Sequence, residues 1–195
     1  MGVGYDRSYG PYTVEDLHGL PDNGRSHELV DGWLIELTPS TRHDYLARRL
    51  SRILERAAEA AKASIYVQAP MDISTPAGAR KPDVAVIDAT AASSARRLGR
   101  SLYHGADVLL AVEVVSRGSG SEREDRGRKV TEYALAGIPQ YWIVDFDPEP
   151  QIQILRRTDD PGRYGTPLMF SSDDTVKIED PFRSRFPLSD LPDYA

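Results

Sequence analysis

The chain has 195 residues, 40% hydrophobic and 28% charged, with a formal net charge of −6. That composition supports one globular domain with a real core, and it is too acidic for a surface that binds nucleic acid everywhere, although a local basic patch stays open. The absence of cysteine excludes disulfides and thiolate sites, and with no apolar signal core in Met1-Gly2-Val3-Gly4-Tyr5-Asp6-Arg7 and no membrane-length segment, a soluble cytoplasmic protein is expected.

In chain order, Thr13-Val14-Glu15-Asp16-Leu17 carries a Thr N-cap with a carboxylate three residues on, which predicts a short helix stopped by Leu20-Pro21-Asp22-Asn23-Gly24. His27–Val30, Asp31-Gly32 and Trp33–Leu37 predict a tight hairpin, because Asp-Gly favours the type I′ turn. From His43 to Ala63, Leu46, Leu50, Ile53, Leu54, Ala57 and Ala61 recur on one face at helical period. Arg48, Arg49, Arg52 and Arg56 share a flank of that helix, but Glu55 and Glu59 sit among them, so an ordinary solvated face is expected over a phosphate contact.

Strands are expected at 65–68 and 71–73, then a Gly/Pro/Ala turn, then a strand opened by Asp83. Residues 88–106 are Ala-, Ser- and Arg-rich without clear period and are expected to form a loop with at most a helical turn. An apolar strand follows at 108–115, then a helix over 122–136 ended by Gly137 and Pro139. Strands at 140–145 and 151–155 precede a weakly patterned, Pro-rich end. This order predicts an α/β fold with a mixed central sheet flanked by helices.

Glu113 lies inside the run Val108-Leu109-Leu110-Ala111-Val112-Glu113-Val114-Val115. Such a run reads as a strand buried on both faces, where an ionised group needs a partner or a metal. Alternation puts Leu109, Ala111, Glu113 and Val115 on one face. If the Asp83 and Glu113 strands are antiparallel neighbours, start meets end and two carboxylates converge. They then repel unless a cation lies between them, and Mg²⁺, which takes oxygen ligands and keeps several waters, suits two acids.

Lys129 follows on the next helix, where the simple alternative is a surface pair with Asp125 at i,i+4. Glu28 stands just ahead of Leu29-Val30 in the hairpin, and read alone it is a hairpin-edge residue. His43 lies where a helix begins after a loop, whereas the other histidines show no metal-ligand spacing. Gly118-Ser119-Gly120 lacks the Lys-Ser/Thr of a P-loop, and no Ser-His-Asp arrangement stands out.

The ordered set Tyr12–Leu17, Glu28-Leu29-Val30-Asp31-Gly32, a Pro-Ser turn with His43, Lys81-Pro82-Asp83-Val84-Ala85-Val86, Val112-Glu113-Val114-Val115-Ser116, Asp125–Lys129 and Tyr133–Asp145 resembles the Uma-two family of bacterial restriction endonucleases, within the PD-(D/E)XK nuclease superfamily. The resemblance covers about residues 12–157 of a chain expected to be one nuclease-like domain over 1–195, with 158–195 as a C-terminal strand and Pro-rich tail.

The resemblance implies a restriction-endonuclease-like core with a four- to five-stranded mixed sheet. It implies Mg²⁺, with Mn²⁺ as a substitute, on Asp83, Glu113 and the Val114 carbonyl, and Lys129 in the role of the lysine usually found where this chain has Val115. Glu28 matches an extra acid, and Ser116, Asp125 and His43 are supporting candidates. The expected activity is DNA endonuclease, with a homodimer suited to cutting both strands. The alternatives are a non-catalytic binding member of the same fold, or a nuclease for RNA or another phosphodiester.

Overall fold

The computed structural model describes residues 10–68 and 70–192. The N-terminal segment without a signal core lies outside the described residues. Thr13 caps α1 (Val14–His18) reciprocally with Asp16. β1 (Ser26–Val30) and β2 (Trp33–Leu37) turn on Asp31 and Gly32, whose φ values of 49° and 78° are the doubly positive pair that type I′ requires. Ser40 caps α2 (Thr41–Ala61) by accepting the His43 N–H, and this helix buries Leu46, Leu50 and Leu54.

After β3 (Ile65–Gln68), the strand expected at 71–73 sits later. β4 (Ile73–Thr75) and β5 (Gly78–Arg80) form a second hairpin, where Gly78, at φ 137°, lies so close to the first hairpin that a Cβ would be 2.5 Å from the Leu29 carbonyl oxygen. β6 (Val84–Asp88) begins one residue after Asp83.

Where a loop with at most a helical turn is expected over 88–106, the chain forms a ten-residue helix, α3 (Ala89–Leu98). Asp88 caps its Thr90 and Ala91 N–H groups, Gly99 closes it in the left-handed conformation, and only Ala92 and Ala95 are buried. Two small residues fill its contact face, so no bulky apolar stripe announces it.

The chain continues through β7 (Tyr103–His104), β8 (Val108–Val115), a helical stretch from Glu122 ending in α4 (Lys129–Leu135), β9 (Gln140–Asp145) and β10 (Gln151–Arg156). The expected weak end supplies β11 (Leu168–Phe170), β12 (Thr175–Ile178) and β13 (Ser184–Pro187).

The main sheet runs β11-β10-β9-β8-β6-β3, six strands rather than four or five, with β8 and β9 parallel and the other pairs antiparallel. The two hairpins and β7 form the second sheet, β2-β1-β5-β4-β7. The fold is α/β, a mixed central sheet flanked by helices.

On one face of the main sheet, α2 packs Leu46, Leu50 and Leu54 against Val84, Val112 and Val144, and the C-terminal Val176, Phe182 and Phe186 join that core. On the other face, Ala92 and Ala95 of α3 and Tyr133 of α4 meet Ala85, Ala111, Val115 and Ile143. A bulge pairs Val86 with Leu110 and Ile87 with Val108, which leaves Leu109 out of the expected alternation and packed on the α2 side. Among the described residues, no helix is long and apolar enough to cross a membrane.

Candidate active site

β6 and β8 are antiparallel, with Val84 opposite Val112. Continuing that register sets Asp83 opposite Glu113 at the end of the sheet. The Val114 N–H donates to Asp83 Oδ2 at 2.7 Å, and His43 Nε2 lies 3.0 Å from the same oxygen. The first turn of α2 delivers His43, because Ser40 starts the helix three residues earlier. Burial pulls the His43 imidazolium down, but Asp83 and Asp44 outweigh it and hold the pKa above its ordinary value. Its Nδ1 is buried without a hydrogen bond.

Glu113 is 4% exposed. Its Oε1 accepts from Lys129 Nζ at 2.9 Å and from the Tyr133 hydroxyl at 2.6 Å. Lys129 Nζ also lies 3.2 Å from Glu28 Oε1 and 3.0 Å from Asp125 Oδ1. The surface Asp125–Lys129 pair expected from i,i+4 spacing is therefore a buried one, with Lys129 only 4% exposed. Residues 124–128 form a π-helical turn, closed by the Lys129 N–H on the Glu124 carbonyl, and Asp125, Lys129, Glu132 and Tyr133 all turn inward. Such widened turns often occur at functional sites. Val115, at the usual lysine position, is buried in the core beside Tyr133.

Glu28 is also buried rather than at a hairpin edge. Its Oε1 accepts the Lys81 N–H at 2.9 Å and its Oε2 accepts Arg80 Nη1 at 2.9 Å. Arg80 was not anticipated. It is 1% exposed and donates to Glu132 from Nε at 2.7 Å and from Nη2 at 2.8 Å, with Glu124 at 3.2 Å. Arg128 reaches Glu132 and Asp31. The only signal in sequence is an arginine immediately before Lys81-Pro82-Asp83, in a strand too short to show a period.

These surroundings separate the acids electrically. Burial opposes ionisation of Glu28, but Lys129, Arg80 and the Lys81 N–H hold its pKa below the usual value. Burial, reinforced by Asp125, Asp83 and Glu28, pushes Glu113 well above the carboxylate range against the pull of Lys129. Asp125 is also raised, chiefly by burial. Burial would lower Lys129, but the three carboxylates hold it well above its ordinary value, so it stays protonated.

Ser116 lies just past β8, where its carbonyl accepts the Ser119 N–H. The Asp125 carbonyl accepts the Tyr141 hydroxyl at 2.8 Å. Separately, Ser101 Oγ is 2.8 Å from His18 Nδ1, and His18 Nε2 is 3.1 Å from Asp72 Oδ2, a Ser–His–Asp chain that sequence spacing hid. Lys81 Nζ approaches Asp72 at 3.4 Å. The chain ties α1 to the segments around β4 and β7.

Among the described residues, no three His, Asp or Glu side chains converge as a ready metal cage. Two carboxylates do meet, and the Lys129 and Tyr133 bonds to Glu113 fall on Oε1 while the Val114 N–H and His43 contacts to Asp83 fall on Oδ2. Among the described residues, Glu113 Oε2 and Asp83 Oδ1 accept no hydrogen bond.

A family model, Uma2, described as "Putative restriction endonuclease", matches residues 14–189. The match extends past the expected limit of 157 and includes the three C-terminal strands. Among solved structures, one from Anabaena variabilis, described as "a putative nuclease belonging to DUF820", superposes with a TM-score of 0.70 at 14% identity, covering 93% of this chain and 97% of that one. At that identity the likeness shows a shared fold. No curated protein matches the chain.

Proposed function

The chain belongs to the Uma2 family, and from that membership we propose that it is a Mg²⁺-dependent DNA endonuclease whose centre is Asp83, Glu113 and Lys129. The observation that carries the reading is the meeting of Asp83 and Glu113 at the sheet end, with Lys129 Nζ 2.9 Å from Glu113. The donor set fits the ion. Each carboxylate keeps one oxygen outside the hydrogen-bond network, both are hard ligands, and Mg²⁺ commonly takes only one or two carboxylates beside water and substrate phosphate. Three acids, Glu28, Glu113 and Asp125, lie within 3.2 Å of Lys129 Nζ, and Asp83 adds to the field on Glu113 and Asp125, so a further cation between Asp83 and Glu113 relieves their repulsion.

Asp83 and Glu113 would hold the ion, with the Val114 carbonyl as a third candidate. When bound, Mg²⁺ neutralises phosphate charge and makes a water more acidic. In the hydrolysis, the water oxygen bonds to phosphorus, one P–O ester bond breaks, and the leaving oxygen takes up a proton. Lys129 holds its proton at Nζ and sets a fixed positive charge against the charge that builds on the phosphate. Glu28, itself clamped by Arg80 and the Lys81 N–H, holds Lys129 from behind. His43 and the Val114 N–H orient Asp83 through Oδ2.

The test is calorimetric titration with Mg²⁺ and Mn²⁺, followed by plasmid cleavage, on wild type and on Asp83→Asn/Glu113→Gln. Metal binding and cleavage that both vanish in the folded double variant are expected. DNA binding that needs neither metal nor these acids, without cleavage, would refute the enzyme reading.

A further inference from the structure

Four of the chain's 24 Lys and Arg residues fall within nine positions of α2, on a protein of net charge −6. Arg48, Arg52 and Arg56 are exposed, and among the described residues none of the three makes an ion pair or hydrogen bond. Glu55 and Glu59, which suggested an internally neutralised face, are exposed and pair with none of them. Several arginines elsewhere are engaged: Arg80, Arg126 and Arg128 in ion pairs, Arg42 on Phe146, and Arg96 over Tyr66.

The row also borders a concavity. Arg48, Arg52 and Arg56, with Tyr45, Ile53 and Phe186, line a groove of about 430 Å³ between α2 and the C-terminal segment. Arg49 lines it too, with its guanidinium on the Asp190 carbonyl, and Asp190 is the acid at its wall.

We propose that this groove seats the phosphate backbone of the nucleic acid, an inference that rests on the nuclease reading above. Steps of four residues along a helix advance about 6 Å, so Arg48 to Arg56 spans about 12 Å, the axial length of three to four nucleotides of one strand. A planar guanidinium forks onto phosphate oxygens better than an ammonium does. The row stands on the helix whose first turn delivers His43 to Asp83, and Arg48 is about 7.5 Å along the axis from His43. A membrane surface is a poorer fit, because an interfacial helix turns its apolar face outward, and here Leu46, Leu50 and Leu54 are spent on the core.

The experiment is fluorescence anisotropy in EDTA, without cleavage, using a labelled duplex and its single strand over a salt series. Wild type is compared with Arg48→Gln/Arg52→Gln/Arg56→Gln and with a control of equal charge change, Arg97→Gln/Arg100→Gln/Arg157→Gln. Three lost phosphate contacts lower the log–log salt slope by about 2–3, so between about 50 and 200 mM salt wild type loses some 20- to 40-fold more affinity than the α2 variant. The control keeps the wild-type slope. Equal slopes for wild type and the α2 variant would overturn the groove assignment and leave the nuclease reading standing. A wild type that binds neither strand form in EDTA overturns the groove assignment. One that also neither binds nor cleaves DNA with Mg²⁺ overturns the nuclease reading, in which case arginine-dependent sedimentation with phosphatidylserine vesicles would assign the surface to lipid.

Discussion

Replacing Glu113 with Gln is expected to stabilise the metal-free protein and to remove its response to Mg²⁺. Glu113 is raised by burial and by the nearby Asp125, Asp83 and Glu28. A carboxyl whose folded pKa lies above its unfolded value favours folding below the unfolded pKa and loses that contribution as pH rises through the folded one. This penalty grows as pH rises above the unfolded value, whereas a neutral amide of the same shape escapes it. Lys129 loses one carboxylate but keeps Glu28 at 3.2 Å and Asp125 at 3.0 Å.

The expected gain is about 0.5–2 kcal/mol, the range common for single stabilising substitutions, or about 1–8 °C in Tm for a domain of this size. In wild type, Mg²⁺ at about ten times its Kd adds about 1.4 kcal/mol, or about 3–6 °C. The assay is calorimetric melting of both proteins from pH 5 to 8, with EDTA and with Mg²⁺. The advantage of Glu113→Gln should grow with pH, and its Mg²⁺ shift should vanish. A variant less stable than wild type by about 3 kcal/mol, the cost of breaking a buried pair, would refute the reasoning and make Glu113 a structural partner of Lys129.

Lys129→Met strands Glu28, Glu113 and Asp125 around an apolar chain, so a loss of about 3–5 kcal/mol is expected in urea unfolding. Arg80→Met leaves Glu28 and Glu132 uncompensated, and a loss of similar size, about 3–5 kcal/mol, should appear as a Tm lower by about 6–20 °C. For His43, raised by Asp83 and Asp44 over the opposing effect of burial, the stabilising contribution is full below pH 6.5 and disappears as pH rises through the folded value. In EDTA its imidazole NMR signals should titrate above 6.5, and Asp83→Asn should bring that midpoint down.

Local chemistry already wrote much of this protein into its sequence. The Asp31-Gly32 turn, the Thr13 cap, the apolar stripe of α2 and the apolar run around Glu113 each act over a few residues, and each stands where pattern placed it. The meeting of Asp83 with Glu113 was legible too, because antiparallel neighbours bring a strand's start to its partner's end. α3 was legible only as a helical turn within a loop, since alanines at its contact face carry no amphipathic signal.

The environment of Lys129 was decided only by tertiary structure. Its spacing to Asp125 describes an exposed pair and a buried one equally well, and the π-turn at 124–128 with the approach of Glu28 from a distant hairpin selects the buried one. Arg80 shows the same limit: its partners Glu28 and Glu132 each lie 52 residues away. Period and spacing report forces within an element, whereas the cost of burying a charge, and the partner that offsets it, come from elements the fold brings together.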